Sequence, residues 1–319
     1  MKNQFQFDLY TGRGAPLSKR NPAVELPLFR KVEEIDHPAG YVAEDGLRDA
    51  VNVALTLGLP LLVTGEPGTG KTQLAAAIAH ELELPPPLVF HTKTNSVARD
   101  LFYQYDSLRH FRDAHLRDLK LDAEQYITYE ALGLAILLSS KEQTPNPTRS
   151  VVLIDEIDKA PRDLPNDVLN EIENMAFTVK ETRRVFWADQ AYRPIVVLTS
   201  NSEKNLPDAF LRRVVFYHIE FPDEERLKEI VRRRLGDDGG FTPAMLENAI
   251  AHFVKIRDLG LKKQPATAEF LAWLRIIRRF GIDVANLKRG DKEKLAFSYS
   301  ILSKSFEDAK KLRERFIGK

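Results

Sequence analysis

An apolar strand, a glycine-rich loop and a helix follow one another without a break in this chain, and few folds can hold that succession. The run Leu59-Pro60-Leu61-Leu62-Val63 leads into Gly65-Glu66-Pro67-Gly68-Thr69-Gly70-Lys71-Thr72, and an alanine-rich helix is expected from Thr72 to Leu82. The loop fits G-x-x-x-x-G-K-[ST], and its place between strand and helix is the context that pattern requires. Its glycines let backbone N–H groups turn inward on phosphates, where a helix N-terminus also favours negative charge. Lys71 can reach the β- and γ-phosphates, and the Thr72 hydroxyl can ligate Mg2+. Asp155 follows Thr72 by 83 residues and, with Glu156, ends the apolar run Val151-Val152-Leu153-Ile154. Carboxylates at the end of a parallel strand lie where α/β sheets bind ligands. Asp155 would support the Mg2+ shell through water, and Glu156 is placed to polarise an attacking water. A turn of purely structural use accounts for the loop but not for the second motif. Together the two imply binding and hydrolysis of a nucleoside triphosphate.

With 319 residues the chain has room for one large or two modest domains. It has no cysteine, which excludes disulfides, thiolate zinc sites and cysteine nucleophiles. The first eight residues, Met1 to Asp8, lack an apolar signal core. No apolar stretch reaches the ~18 residues of a spanning helix, so a cytoplasmic protein is expected. Charge is unevenly spread. Residues 1–221 hold 25 Lys and Arg against 31 Asp and Glu, whereas residues 222–319 hold 22 against 15. A basic end permits nucleic acid or acidic partners, although exposed helices laced with ion pairs explain it as well.

Residues 1–40 are rich in Pro and Gly; Phe5, Phe7 and Leu9 alternate with polar residues, as in a short strand or an adhesive arm. A helical pattern runs from Glu44 to Leu57. Buried strands are expected at Leu88–His91, at Ile195–Asn201 and at Val214–Phe221, with residues 97–138 helical in pieces. Strands alternating with helices predict a doubly wound parallel sheet. Beyond Phe221-Pro222 the strands stop, and amphipathic segments around 243–256, 265–280 and 290–315 predict a helical domain. The expected division is an N-terminal extension at 1–40, an α/β nucleotide-binding domain at 41–221 and a helical lid at 222–319. Among the seven histidines, His110 and His115 sit with Asp113 in a charged helix without metal-ligand spacing.

Taken together, the motifs resemble those of the AAA+ ATPases, and within them the MoxR group, over roughly residues 40–300. Gly65 to Thr72 and Val151 to Ala160 match the two nucleotide motifs, and Asp100-Leu101-Phe102-Tyr103-Gln104-Tyr105-Asp106 is similar to that group in particular. The resemblance implies ATP with Mg2+, a hexameric ring and remodelling of a protein substrate. It implies that Asn201, in Thr199-Ser200-Asn201, senses the γ-phosphate and positions the water. It also implies that Arg212 or Arg213 acts as a finger on the neighbouring subunit's nucleotide. One departure stands out. Ala266, in Gln264-Pro265-Ala266-Thr267, stands where the group often carries a second-sensor arginine, and Lys262 and Lys263 are the nearby cations that could stand in.

Between Glu171 and Arg193 a hairpin is expected, with Phe177-Thr178-Val179 and Val185-Phe186-Trp187 flanking Glu181 to Arg184. In the resembled group an insertion here projects toward the ring pore. The group also suggests an adaptor with a von Willebrand factor A domain. The alternative is a nucleic-acid motor or nuclease-associated translocase, supported only by the basic C-terminal part. A small-molecule phosphotransferase fits poorly, because its base belongs on the acceptor, whereas a carboxylate beside the magnesium aspartate suits water.

Overall fold

The computed structural model describes residues 10, 37–116, 122–202, 206–236 and 240–318. Phe5, Phe7, Leu9 and nearly all of the expected N-terminal arm lie outside the described residues.

Chain order in the α/β part is α1 (Asp45–Leu57), β1 (Leu61–Gly65), α2 (Lys71–Glu81), β2 (Leu88–His91), β3 (Tyr103–Tyr105), α3 (Ser107–Leu116), β4 (Ile127–Tyr129), α4 (Ala131–Ser139) and β5 (Val151–Asp155). There follow α5 (Leu164–Asp167), α6 (Leu169–Asn174), β6 (Ala176–Val179), β7 (Arg184–Trp187), β8 (Ile195–Ser200), α7 (Asp208–Leu211) and β9 (Val215–Ile219). Five strands form one parallel sheet in the order β2-β5-β8-β1-β9. The two motif strands, β1 and β5, therefore flank β8 and end on the same side of the sheet.

Alternation along the strands builds two layers. Leu61, Val63, Val151, Leu153 and Val197 pack with Leu47 and Ala54 of α1 and Leu74, Ala75 and Ile78 of α2. Leu62, Val152, Ile154, Val196 and Leu198 pack on the other face with Leu132 and Ile136 of α4 and with Phe210. Cover on both faces is why these strands read as unbroken apolar runs, and each large side chain so buried contributes about 1.5–3 kcal/mol. The doubly wound parallel sheet predicted above is what forms.

Three local readings change. β2 and β9 are the sheet edges, with Val89 and Phe216 42% and 46% exposed, rather than buried strands. A short apolar run carries no mark of whether helices cover both of its faces. Within 97–138, read as helical pieces, β3 pairs antiparallel with β4. Three-residue strands are too short for alternation to be told from helical spacing. The hairpin does form: β6 pairs with β7, with Phe177 opposite Phe186.

Gly133 shows why α4 packs so closely. Glycine inside a helix costs up to about 1 kcal/mol against alanine, but a Cβ here would lie 2.0 Å from the Phe102 carbonyl oxygen. Gly133→Ala should lower the unfolding free energy by about 1–3 kcal/mol. Denaturant melts that show no loss would mean the approach relaxes freely.

Tertiary contacts divide the chain into two compact units. One is Pro38–Ile230 with Ala266–Ala268; the other has its described residues mainly in Val231–Pro265 and Glu269–Lys319. After β9 the described elements are all helical: α8 (Glu224–Leu235), α9 (Pro243–Arg257), α10 (Thr267–Phe280), α11 (Asp291–Leu302) and α12 (Phe306–Phe316). The amphipathic segment around 290–315 forms two helices that part near Ser305, whose hydroxyl caps α12 by accepting from the Asp308 amide at 3.1 Å. Phe253 and Phe270 meet at 4.5 Å in this helical core, beside fully buried Trp273. His252 Nε2 lies 2.8 Å from the Tyr299 hydroxyl, and burial, aided by Lys255, pushes its pKa down to about 4. No helix among the described residues is long and apolar enough to cross a membrane.

Candidate nucleotide site

The loop from Gly65 to Thr72 joins β1 to α2, and its glycines adopt conformations that other residues resist. Gly65 has φ +149°, and a Cβ there would lie 2.6 Å from the Ile219 carbonyl oxygen of β9. Gly70, at φ +91°, precedes the first turn of α2, and its Cβ would meet the Tyr41 ring at 3.2 Å. The first amides of a helix have no intrahelical acceptor. Those of Lys71 and Thr72 thus begin α2 as donors available to an anion.

Lys71 is the only buried lysine among the described residues. Its Nζ donates to the carbonyls of Gly65 (2.8 Å) and Glu66 (2.9 Å), curling back over the loop. Burial holds its pKa below the usual lysine range, while Asp158, Asp155 and Glu156 pull the other way. Its direct hydrogen-bond partners are neutral carbonyls, so a phosphate would give the desolvated ammonium an anion in contact.

Asp155, buried at the end of β5, collects two hydroxyls on one oxygen. Thr72 Oγ1 donates to its Oδ1 at 3.0 Å and Thr199 Oγ1 at 2.7 Å. Thr199 comes from β8, the strand between the two motif strands, so sheet order delivers it. The next residue, Glu156, has φ +57°, an uncommon conformation for a side-chain-bearing residue. Its amide donates to Thr199 Oγ1 at 2.9 Å, and its carboxylate pairs with Lys159.

Asn201 is exposed just past β8, and its amide donates to Asp158 Oδ1 at 3.2 Å. Arg212 and Arg213 follow α7 and are also exposed. Arg213 Nε pairs with Glu173 Oε1 at 3.1 Å. Among the described residues, no contact joins either arginine to the loop or to Asp155. Lys71, Thr72, Asp155 and Glu156 thus converge, Asn201 is linked through Asp158, and the arginines stand apart. Lys262 pairs with Glu307 at 3.5 Å, and Ala266 is buried.

Four contributors escaped the motif reading: Thr199, Lys159, Tyr41 and His91, whose Nδ1 lies 3.4 Å from Asp155 Oδ2. Thr199 was legible in principle, as a hydroxyl at the polar end of an apolar strand. His91 needed the β2–β5 pairing, which no local pattern reveals.

Fold and site define a mononucleotide-binding α/β ATPase, with its phosphate loop and acidic strand on one parallel sheet. Residues 61–223, just over half of the chain, match the family described as "ATPase family associated with various cellular activities (AAA)". The chain belongs to that family and is an enzyme that hydrolyses ATP to ADP and phosphate. No curated protein matches the sequence. Two solved structures from Thermotoga maritima are similar in fold. A point variant of RuvB is 17% identical, with a TM-score of 0.43, covering 80% of this chain and 67% of that one. The RuvB Holliday junction branch migration motor is 15% identical, with a TM-score of 0.44, covering 82% and 70%. Both likenesses are distant.

Proposed function

We propose that this AAA ATPase is of MoxR type: a cytoplasmic ring, hexameric in its working state, that spends Mg2+-dependent ATP hydrolysis on remodelling or maturing a partner protein. The observation that carries the remodelling reading is the two-faced β6–β7 hairpin. Its inner residues Phe177 and Phe186 stack at 5.2 Å in the core, while Val185 and Trp187 on the outer face are 51% and 50% exposed. They stand opposite Thr178 and Ala176, making a small apolar strip that suits an extended polypeptide better than a phosphate backbone. The resemblance of Asp100–Asp106 to the MoxR group supports the same reading.

In this reading the loop Gly65, Glu66, Pro67, Gly68, Thr69 and Gly70 wraps the phosphates, every residue but Pro67 having a backbone N–H to offer, and Lys71 neutralises the β/γ oxygens. Hard oxygen donors suit magnesium, and Thr72 Oγ1 with Asp155 fits that requirement, Thr72 directly and Asp155 through water. Magnesium, when bound, supplies charge neutralisation across the phosphate oxygens. Glu156 takes the proton of the attacking water, which requires its carboxylate to leave Lys159. Asn201 orients that water, and Arg212 or Arg213 reaches the neighbour's γ-phosphate. Residues 222–319 serve as the lid and 1–40 as an extension available for partner recognition. An adaptor with a von Willebrand factor A domain is the partner proposed.

Glu156→Gln tests the reading. It should keep ATP affinity and lose about 10²–10⁴-fold in turnover, the usual worth of a general base. Wild-type turnover would remove Glu156 from the mechanism. In native extract, Glu156→Gln with ATP should retain protein partners that Lys71→Ala does not. Recovery of nucleic acid alone, with steep salt dependence, would instead favour a nucleic-acid motor, to which the basic residues 222–319 lend their only support.

A further inference from the structure

Strands β5, β8 and β1 enter the sheet side by side, at the end opposite Asp155 and the phosphate loop, and a cleft of about 490 Å3 opens there. Its lining mixes apolar and cationic groups. Leu57, Leu59 and Pro60 come from the end of α1 and the turn after it, and Arg149 and Arg193 from the segments before β5 and β8. Leu57 is 61% exposed, and Val53, one turn earlier on α1, is exposed as well. The apolar strip thus runs about 6 Å farther along the helix.

Arg193 is held in place without an acid. Its Nε donates to the Gly58 carbonyl at 3.3 Å, and its Nη2 to the carbonyls of Ile172 (3.3 Å) and Glu173 (2.9 Å). Gly58 caps the end of α1, and the other two belong to the last turn of α6, where helix carbonyls lack intrahelical partners. Two further N–H groups, on Nη1, have no partner among the described residues. Burial pulls the Arg193 pKa below the usual arginine value, and no carboxylate offsets that cost. Arg149 donates one N–H to the Ala191 carbonyl at 2.9 Å. Neither arginine has an ion pair among the described residues, and the one carboxylate in the lining, Glu173, is taken by Arg213.

We propose that this cleft docks a linear segment of a partner protein in which an acidic side chain stands among apolar ones. Guanidinium groups match a carboxylate with paired N–H donors. Arg193, fixed across two helix ends, loses little freedom on binding. The exposed Val53, Leu57 and Leu59 take the flanking apolar side chains, over a length that a small acid would not cover. Only the source of the segment rests on the protein-remodelling reading; capture of the carboxylate does not.

The probe is acetyl-Leu-Asp-Leu-amide, titrated into the full chain and followed by NMR of the Arg193 Nε–H and the Gly58 and Gln190 amides. These signals should shift saturably. Acetyl-Leu-Asn-Leu-amide should bind at least about tenfold more weakly, the worth of a hydrogen bond to a charged group. Arg149→Gln should cost the Asp peptide a similar factor and leave ATP turnover unchanged, and it spares the helix ends that Arg193 holds. Equal binding of the two peptides, no saturable shift, or full affinity in Arg149→Gln would overturn the inference and leave the ATPase reading intact. Sodium acetate binding as tightly as the Asp peptide would also overturn it, by showing a site for small anions.

Discussion

Lys71→Ala should abolish ATP binding while leaving the fold in place. In the proposed reading its ammonium is the one positive charge that the loop offers to the phosphates, and it is already desolvated there. A ligand present at 100 times its Kd stabilises the native state by about 2.7 kcal/mol. For a unit of this size that corresponds to a rise of about 5–10 °C in Tm. Wild-type protein with ATP should show such a rise, and Lys71→Ala none at the same concentration. The Tm without nucleotide should move far less. Removing the side chain releases the Gly65 and Glu66 carbonyls, but it also removes a buried cation whose lowered pKa reports poor solvation. The two changes oppose each other. An undiminished ATP-induced shift in Lys71→Ala would mean that the loop binds phosphate through its amides alone, and that Lys71 is a structural cap.

Contiguous parts of this chain were legible in sequence, and parts joined by distant pairing were not. The loop and the Asp155-Glu156 strand could be read because each packs its chemistry into six to eight consecutive residues whose order is dictated by backbone geometry. Buried strands β1, β5 and β8 announced themselves because cover on both faces demands unbroken apolar runs. The edge positions of β2 and β9 depend instead on which strands pair, a property of the whole sheet. The same pairing brings His91 to Asp155, and Thr199 to Asp155 and Glu156. Lys159 illustrates a third kind of gap. It lies three residues from Glu156 and pairs with it, while Glu156 itself adopts a left-handed backbone, which nothing in the residue type foretells.

Replacing both Arg212 and Arg213 with alanine should preserve ATP affinity and reduce hydrolysis by about 10³–10⁵-fold, the range for an arginine acting on the γ-phosphate. The structure separates the pair in one respect: Arg213 is engaged by Glu173 of its own chain, while Arg212 has no described ion pair or side-chain hydrogen bond. An exposed pair of this kind is worth at most about 1 kcal/mol, so it biases Arg213 without locking it. Arg212→Ala alone should therefore account for most of the loss. Should Arg213 carry it instead, the Glu173 pair competes with the finger, and Glu173→Gln should raise turnover. If the finger belongs to a neighbour, as proposed, activity per subunit should climb with protein concentration. Mixing the double variant with Lys71→Ala should partly restore hydrolysis, since the first keeps an intact nucleotide site and the second keeps its arginines. Turnover that is independent of concentration, with no recovery on mixing, would place the complete active site within one chain.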